Sequence, residues 1–185
     1  MLPPEKRYEE NAYVLDFQPR GKSSIIRGRE GPIVQALGEE RLTLLELLAA
    51  ENQEFETGEK LRIGREGRDK ILSVFGKLPY EDLTSEAKNQ LLGVCEIIVK
   101  NNEARYVALF NELQPLTPRL HGLELIPGIG KTFMKVAIEE RGKRPFASFD
   151  DIQNRVGVHE PAKLVAKRIA EELTGTTRIN IFVKK

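Results

Sequence analysis

Eight of the chain's 15 glycines fall between positions 21 and 76 (Gly21, Gly28, Gly31, Gly38, Gly58, Gly64, Gly67 and Gly76), and they cut this stretch into apolar runs too short to be helices. Glycine weakens a helix interior but supplies the dihedrals that tight turns between strands require. The runs between the glycines are AYVLDF (12–17), SIIRG (24–28), PIVQAL (32–37), RLTLLEL (41–47), EKLRIG (59–64) and KILSVFG (70–76). Their alternation and β-branched content predict six short strands. The leucines of LTLLELLAA suit a helix equally; the turn signals on both sides decide for a strand. Six strands in so little chain predict a small barrel, which removes its own exposed edges by closing.

The period changes after LPYEDLTSEAKNQLL. Thr84 or Ser85 caps a helix whose apolar positions Ala87, Leu91, Cys95 and Ile98 recur at helical spacing. Asn101-Asn102 breaks it, and a second helix runs from about Glu103 to Leu113 until Pro115 and Pro118 stop it. Further on the sequence repeats itself. Aligning IPGIGKTFMKVAIEER with NRVGVHEPAKLVAKRIAEEL sets Gly128 on Gly157, Ile129 on Val158, Gly130 on His159 and Val136 on Val165. Each copy reads as a glycine hairpin entering an amphipathic helix, with Ser148 and Asp151 forming a capping box between the copies. The expected fold class is therefore α+β. A β-barrel occupies residues 1–83, a helical connector 84–116 and a tandem helix–hairpin–helix domain 117–175. TTRINIFVKK, residues 176–185, reads as a last strand returning to the barrel edge.

The composition, 40% hydrophobic and 31% charged, is that of a soluble globular chain of 185 residues, with room for two small domains. No apolar run is long enough for a membrane span, and MLPPEKRYEEN lacks the apolar middle of a secretory signal. With one cysteine, these features predict a cytoplasmic protein with no membrane partner. Cys95 reads as a small core residue. Two isolated histidines and one cysteine make no zinc site, and no cofactor is expected from them. His121 reads as a helix-start or core residue. The formal charge is only +1. It is unevenly spread: residues 121–185 hold 12 basic against 8 acidic side chains, so the positive potential leans toward the C-terminal third.

Gly130-Lys131-Thr132 matches the end of a nucleotide-binding P-loop, which needs a leading glycine five residues before the lysine-preceding one and a row of amides round the phosphates. Leu125 stands where that glycine belongs, and Pro127 removes one amide. A helix–hairpin–helix uses every residue of the segment. Leu125, Ile126 and Ile129 face the core, Pro127 stiffens the entry, and Gly128 and Gly130 permit close backbone approach. The amides of Ile129, Gly130, Lys131 and Thr132 then face solvent at a helix start, where they suit a phosphate oxygen, with Lys131, Lys135 and Arg141 adding charge. Gly157, Val158 and Lys163 form the weaker second set, because His159 replaces a glycine and Pro161 follows. In the barrel, Arg27, Arg29, Arg62, Arg65 and Arg68 cluster round glycine turns as candidate phosphate contacts. Tyr13 and Phe17, four apart on one strand, share a face; Phe17 reads as core, while Tyr13 suits core or base stacking equally.

LTSEAKNQLL, LHGLELIPGIGK, EERGKRPFASFDDIQNRVGV and KRIAEELTG, in this order, resemble the uncharacterised archaeal family called domain of unknown function 655, whose members are described as predicted RNA- or DNA-binding proteins. The resemblance covers nearly the whole chain. It implies an N-terminal barrel of the oligonucleotide-binding (OB-fold) or S1-like type and a C-terminal tandem helix–hairpin–helix domain similar to those of recombination and repair proteins. It further implies amide contacts to phosphate at Gly128, Ile129, Gly130 and Lys131, and a monovalent cation held by hairpin carbonyls. The expected function is non-catalytic binding of RNA or DNA with little sequence preference. The competing expectations are an NTP-binding enzyme using Gly130, Lys131 and Thr132 with Asp16, and a docking scaffold for translation or repair proteins. Oligomeric state is left open.

Overall fold

The computed structural model describes residues 8–184 and is a mixed α+β fold. Its contacts divide the chain into two units: residues up to Val94 together with those from Glu172 onward, and residues Cys95–Glu171.

The first unit is built on one antiparallel sheet with the order β4-β1-β2-β3-β5, formed by β1 (Asn11–Lys22), β2 (Glu30–Gly38), β3 (Leu44–Ala49), β4 (Lys60–Arg62) and β5 (Ile71–Lys77). The sheet curls into a half-barrel. Its ends β4 and β5 share no ladder, so the expected closed barrel is corrected to an open one. Arg68 stands at the gap: its guanidinium donates to the carbonyls of Ile63 and Gly64 just after β4, and to that of Leu72 in β5. One face of the sheet packs a core cluster that includes Val14, Val34, Leu47, Leu61 and Ile71. Five strands form rather than six, because SIIRG is a loop.

Long β1 follows the curl by means of two bulges, between Val14 and Asp16 and between Gln18 and Gly21. The first bulge reverses the alternation of side chains. Val14 and Phe17 therefore both join the core cluster, while Tyr13 lies outside it, and the expected shared face of Tyr13 and Phe17 does not exist. Tyr13 is 1% exposed and donates its hydroxyl to Glu39, so it is a core residue and offers no stacking surface.

At the start of β1, Glu9 accepts hydrogen bonds from the amides of Glu40, Arg41 and Thr43 in the β2–β3 turn. Glu40 in return accepts from the amides of Glu10 and Asn11 and from the Asn11 side chain. The turn contains buried Leu42 at φ 55°, a strained conformation for a leucine that the two carboxylates hold in place. Gly38 is required here, since a Cβ would lie 2.1 Å from the Glu9 carboxyl carbon.

Helix α1 (Ser85–Asn101) starts where expected. Thr84 accepts from the amide of Ala87, and its hydroxyl donates to Asp16. Ala87, Leu91, Cys95 and Ile98 are all buried, as the helical spacing requires. Burial pushes the Cys95 thiol up to about 12, which leaves it unreactive. The tail, residues 176–184, forms no strand. Buried Glu172 instead accepts from the amides of Ile181, Phe182 and Val183, so the tail's backbone bonds go to one carboxylate rather than to a sheet edge.

The second unit holds α2 (Glu103–Glu112), a small hairpin of β6 (Pro115–Thr117) and β7 (Leu120–His121), a 3-10 turn over Gly122–Leu125, α3 (Lys131–Lys143), α4 (Phe149–Val156) and the body of α5 (Pro161–Leu173). Ser148 caps α4 by accepting from the amide of Asp151, and Asp151 reaches back to the amide of Ala147. Arg155 locks the α3–α4 connection by donating to the carbonyls of Glu140 and Arg144 while stacking over Phe146, 4.7 Å from its centroid. No helix among the described residues is long and apolar enough to cross a membrane.

Candidate functional site

The Pro-Gly dipeptide sets the local geometry. Pro127 and Gly128, at φ 88°, occupy the two central positions of a turn closed by the Ile129 amide donating to the Ile126 carbonyl at 3.0 Å. Ile126 and Ile129 are buried as expected. Gly128 is favoured by its left-handed φ, and a Cβ would press on a Leu164 methyl of α5 at 3.2 Å. The turn consumes the Ile129 amide, so Ile129 is removed from the expected set of free donors.

What remains is a row of four. The amides of Gly130, Lys131, Thr132 and Phe133 make no hydrogen bond with any described residue, and all four residues are exposed. They are the orphan donors that every helix start leaves behind. Nothing in the sequence of this helix compensates them. Gly130 is the N-cap and offers no capping side chain, and the first turn of α3 contains no acidic residue. Gly130 itself meets no steric demand: its φ is −89°, and a Cβ there would find nothing within 4 Å.

Lys131, expected on a phosphate, is engaged at home. Its ammonium donates to the carbonyl of Arg119 at 2.7 Å and pairs with Glu124 at 2.9 Å. Glu124 also accepts from the amide of His121, whose ring Nδ1 accepts from the amide of Leu123. His121 is therefore a helix-start cap, and burial followed by the Arg141 charge lowers its pKa. The His121 amide and then Lys131 hold the Glu124 carboxyl below the usual carboxylate range. Arg141 donates to the carbonyls of Phe110 and Leu113, which ends α2 and leaves no free guanidinium there. Lys135 and Thr132 are exposed, without an ion pair or side-chain hydrogen bond among the described residues. Phe133, missed in the sequence, is 37% exposed at the first turn of α3 and is the side chain nearest to where a Gly157 Cβ would stand.

The second hairpin is built differently. Gly157 ends α4 in the left-handed conformation with its amide bonded to the Gln153 carbonyl. Val158 is buried. Pro161 has no N–H, the Lys163 amide donates to the Glu160 carbonyl, and the Glu160 amide is taken by the Gln153 side chain. An acid also sits at this helix start, with Glu160 3.5 Å from His159. The amides of Val158, His159 and Ala162 also make no hydrogen bond with a described residue, but Glu160 and Pro161 interrupt them, so the uninterrupted run of four belongs to the first turn.

In the first unit, Arg62 pairs with Glu10 at 2.7 Å and donates to the Glu66 carbonyl, and Arg68 is spent on the sheet gap. Arg27, Arg29 and Arg65 are exposed and have no ion pair among the described residues. Asp16 accepts from Thr84 and from the Phe17 amide. No cluster of three or more His, Cys, Asp or Glu side chains suited to a metal ion occurs among the described residues.

A sheet-based unit and a unit of helices carrying the amide row make up a two-part α+β protein. Residues 8–184 match the family described as protein of unknown function DUF655, and the chain belongs to that family. It is 43% identical over 181 residues to the uncharacterized protein MJ0038 of Methanocaldococcus jannaschii, covering 97% of this chain and 82% of that one. The crystal structure of Af1531 from Archaeoglobus fulgidus is similar, with a TM-score of 0.84 and 42% identity, covering 95% of this chain and 100% of that one.

Proposed function

We propose that this protein is a non-catalytic nucleic-acid-binding protein that holds backbone phosphates with the amides at the start of α3. The observation that carries the reading is the row Gly130 to Phe133: four unbonded donors on exposed residues at the positive end of a helix dipole, with no acid or capping side chain to occupy them. The 3-10 turn with α3, and α4 with α5, are read as two helix–hairpin–helix units, of which the first binds and the second completes the fold. The half-barrel, with exposed Arg27, Arg29 and Arg65, is read as an oligonucleotide-binding type of sheet adding phosphate contacts. Contacts of this kind carry no base information, so little sequence preference is expected.

The test is a fluorescence titration of single- and double-stranded DNA and RNA at two salt concentrations, with Gly130→Asp beside the wild type. Saturable binding should weaken with salt, by a slope of about −0.9 per duplex phosphate neutralised. The aspartate caps the amides and adds a negative charge. Losing charge-assisted hydrogen bonds of about 1.5–3 kcal/mol should lower affinity roughly ten- to a hundredfold. The same change should leave the unfolding midpoint level or slightly raised. No binding to any of the four probes, or an unaltered affinity in the variant, overturns the reading.

A further inference from the structure

The loop between β1 and β2 is more firmly fixed than its exposure demands. Ser23 and Arg29 close its base through the Ser23 amide and the Arg29 carbonyl, and the Arg29 amide closes the tip by donating to the Ile26 carbonyl at 3.1 Å. Glu46 of β3 is fully buried, and its carboxylate accepts from the Ser23 hydroxyl and the Ser24 amide. Ser23 in turn accepts from the amides of Ile25 and Ile26. A buried carboxylate is costly unless its partners satisfy it, and here its partners are the loop's own donors. The fixed loop presents Ile25, 38% exposed, and Ile26, 42% exposed, beside the exposed Arg27 and Arg29.

We infer that this preformed Ile-Ile-Arg loop is a wedge that enters a groove of base-paired nucleic acid and partly unstacks a base step, with Arg27 and Arg29 on the flanking phosphates. The inference rests on the nucleic-acid reading above but uses a different element. Branched aliphatic side chains beside arginines are what a groove-side wedge requires, and a rigid loop avoids an ordering cost on insertion. Two isoleucines are too little apolar surface to centre a stable protein interface, which needs about 800 Å² per partner. The guanidinium fork suits phosphate oxygens.

The test uses the full chain with DNA and RNA duplexes carrying 2-aminopurine, whose fluorescence rises when a base unstacks. Wild type should bind and brighten at least one duplex. Ile25→Ser/Ile26→Ser should still bind but lose the brightening, and the conservative Ile25→Leu/Ile26→Leu pair should keep it. Arg27→Ala/Arg29→Ala should reduce the salt slope by about 2. Circular dichroism should show each variant folded. Binding without brightening, or brightening that survives the serine pair, overturns the wedge and leaves the functional reading standing. Absence of binding to either duplex overturns the wedge, while the functional reading falls only if the single-stranded probes fail to bind as well.

Discussion

Gly130 is a glycine that neither sterics nor φ requires, placed where any capping side chain would cover the amide row. Its neighbour is of the opposite kind. Lys131 is tied to Glu124 and the Arg119 carbonyl. Lys131→Ala should therefore lower nucleic-acid affinity less than about fivefold in the same titration, the scale of an exposed ion pair. Glu9 supplies a pH-dependent residue. Burial, then the hydrogen bond with Glu40, raise it from 4.5 to about 7. For Glu40 burial acts upward, but hydrogen bonds from Glu9, Asn11 and the Glu10 amide outweigh it and the net shift is downward. Because the folded pKa of Glu9 lies above the unfolded one, its contribution to stability is complete below about pH 4.5 and is lost as pH rises through about 7. Denaturant midpoints measured from pH 4.5 to 8 should fall in the wild type and stay flatter in Glu9→Gln. Some of this was legible in the residues and some was not. Pro127-Gly128 already implies that the next amide closes a turn, and the rule of orphan donors at a helix start already points to Phe133. The partners of Lys131 and Glu9 come from tertiary proximity, which spacing does not encode.

At the scale of elements, local chemistry was readable and register was not. The Ser148 cap forms as its sequence suggests, and Ser148→Ala should cost about 1 kcal/mol in denaturant unfolding. Five of the six expected strands form because alternation and glycine turns agree. SIIRG fails as a strand because Ser23 and Glu46 capture its amides, a competition that β-branched content does not reveal. The bulge that separates Tyr13 from Phe17 depends on how β1 pairs with β2, and no residue type announces it. Sequence alignment makes the two hairpins nearly equivalent, yet their amides differ, since Pro161 and Glu160 tighten the second helix start. His159→Gly should accordingly change affinity less than about twofold, well below the effect of Gly130→Asp, when both are titrated against one duplex.

Across the whole molecule the charge pattern matters more than the net charge of +1. Residues 121–185 carry 12 basic against 8 acidic side chains, yet Lys131, Arg141, Arg155 and Lys143 are held by internal partners. Side-chain charge alone is therefore a poor guide to the binding face, and the central claim falls on backbone donors that no composition count records. The most direct measurement is a ¹⁵N–¹H correlation spectrum of the full chain during titration with an oligonucleotide. The amide signals of Gly130, Lys131, Thr132 and Phe133 should move together and saturably, while those of Ile129 and Lys163, already bonded within the fold, should move little. Saturable binding during which the four signals stay in place would contradict the central claim.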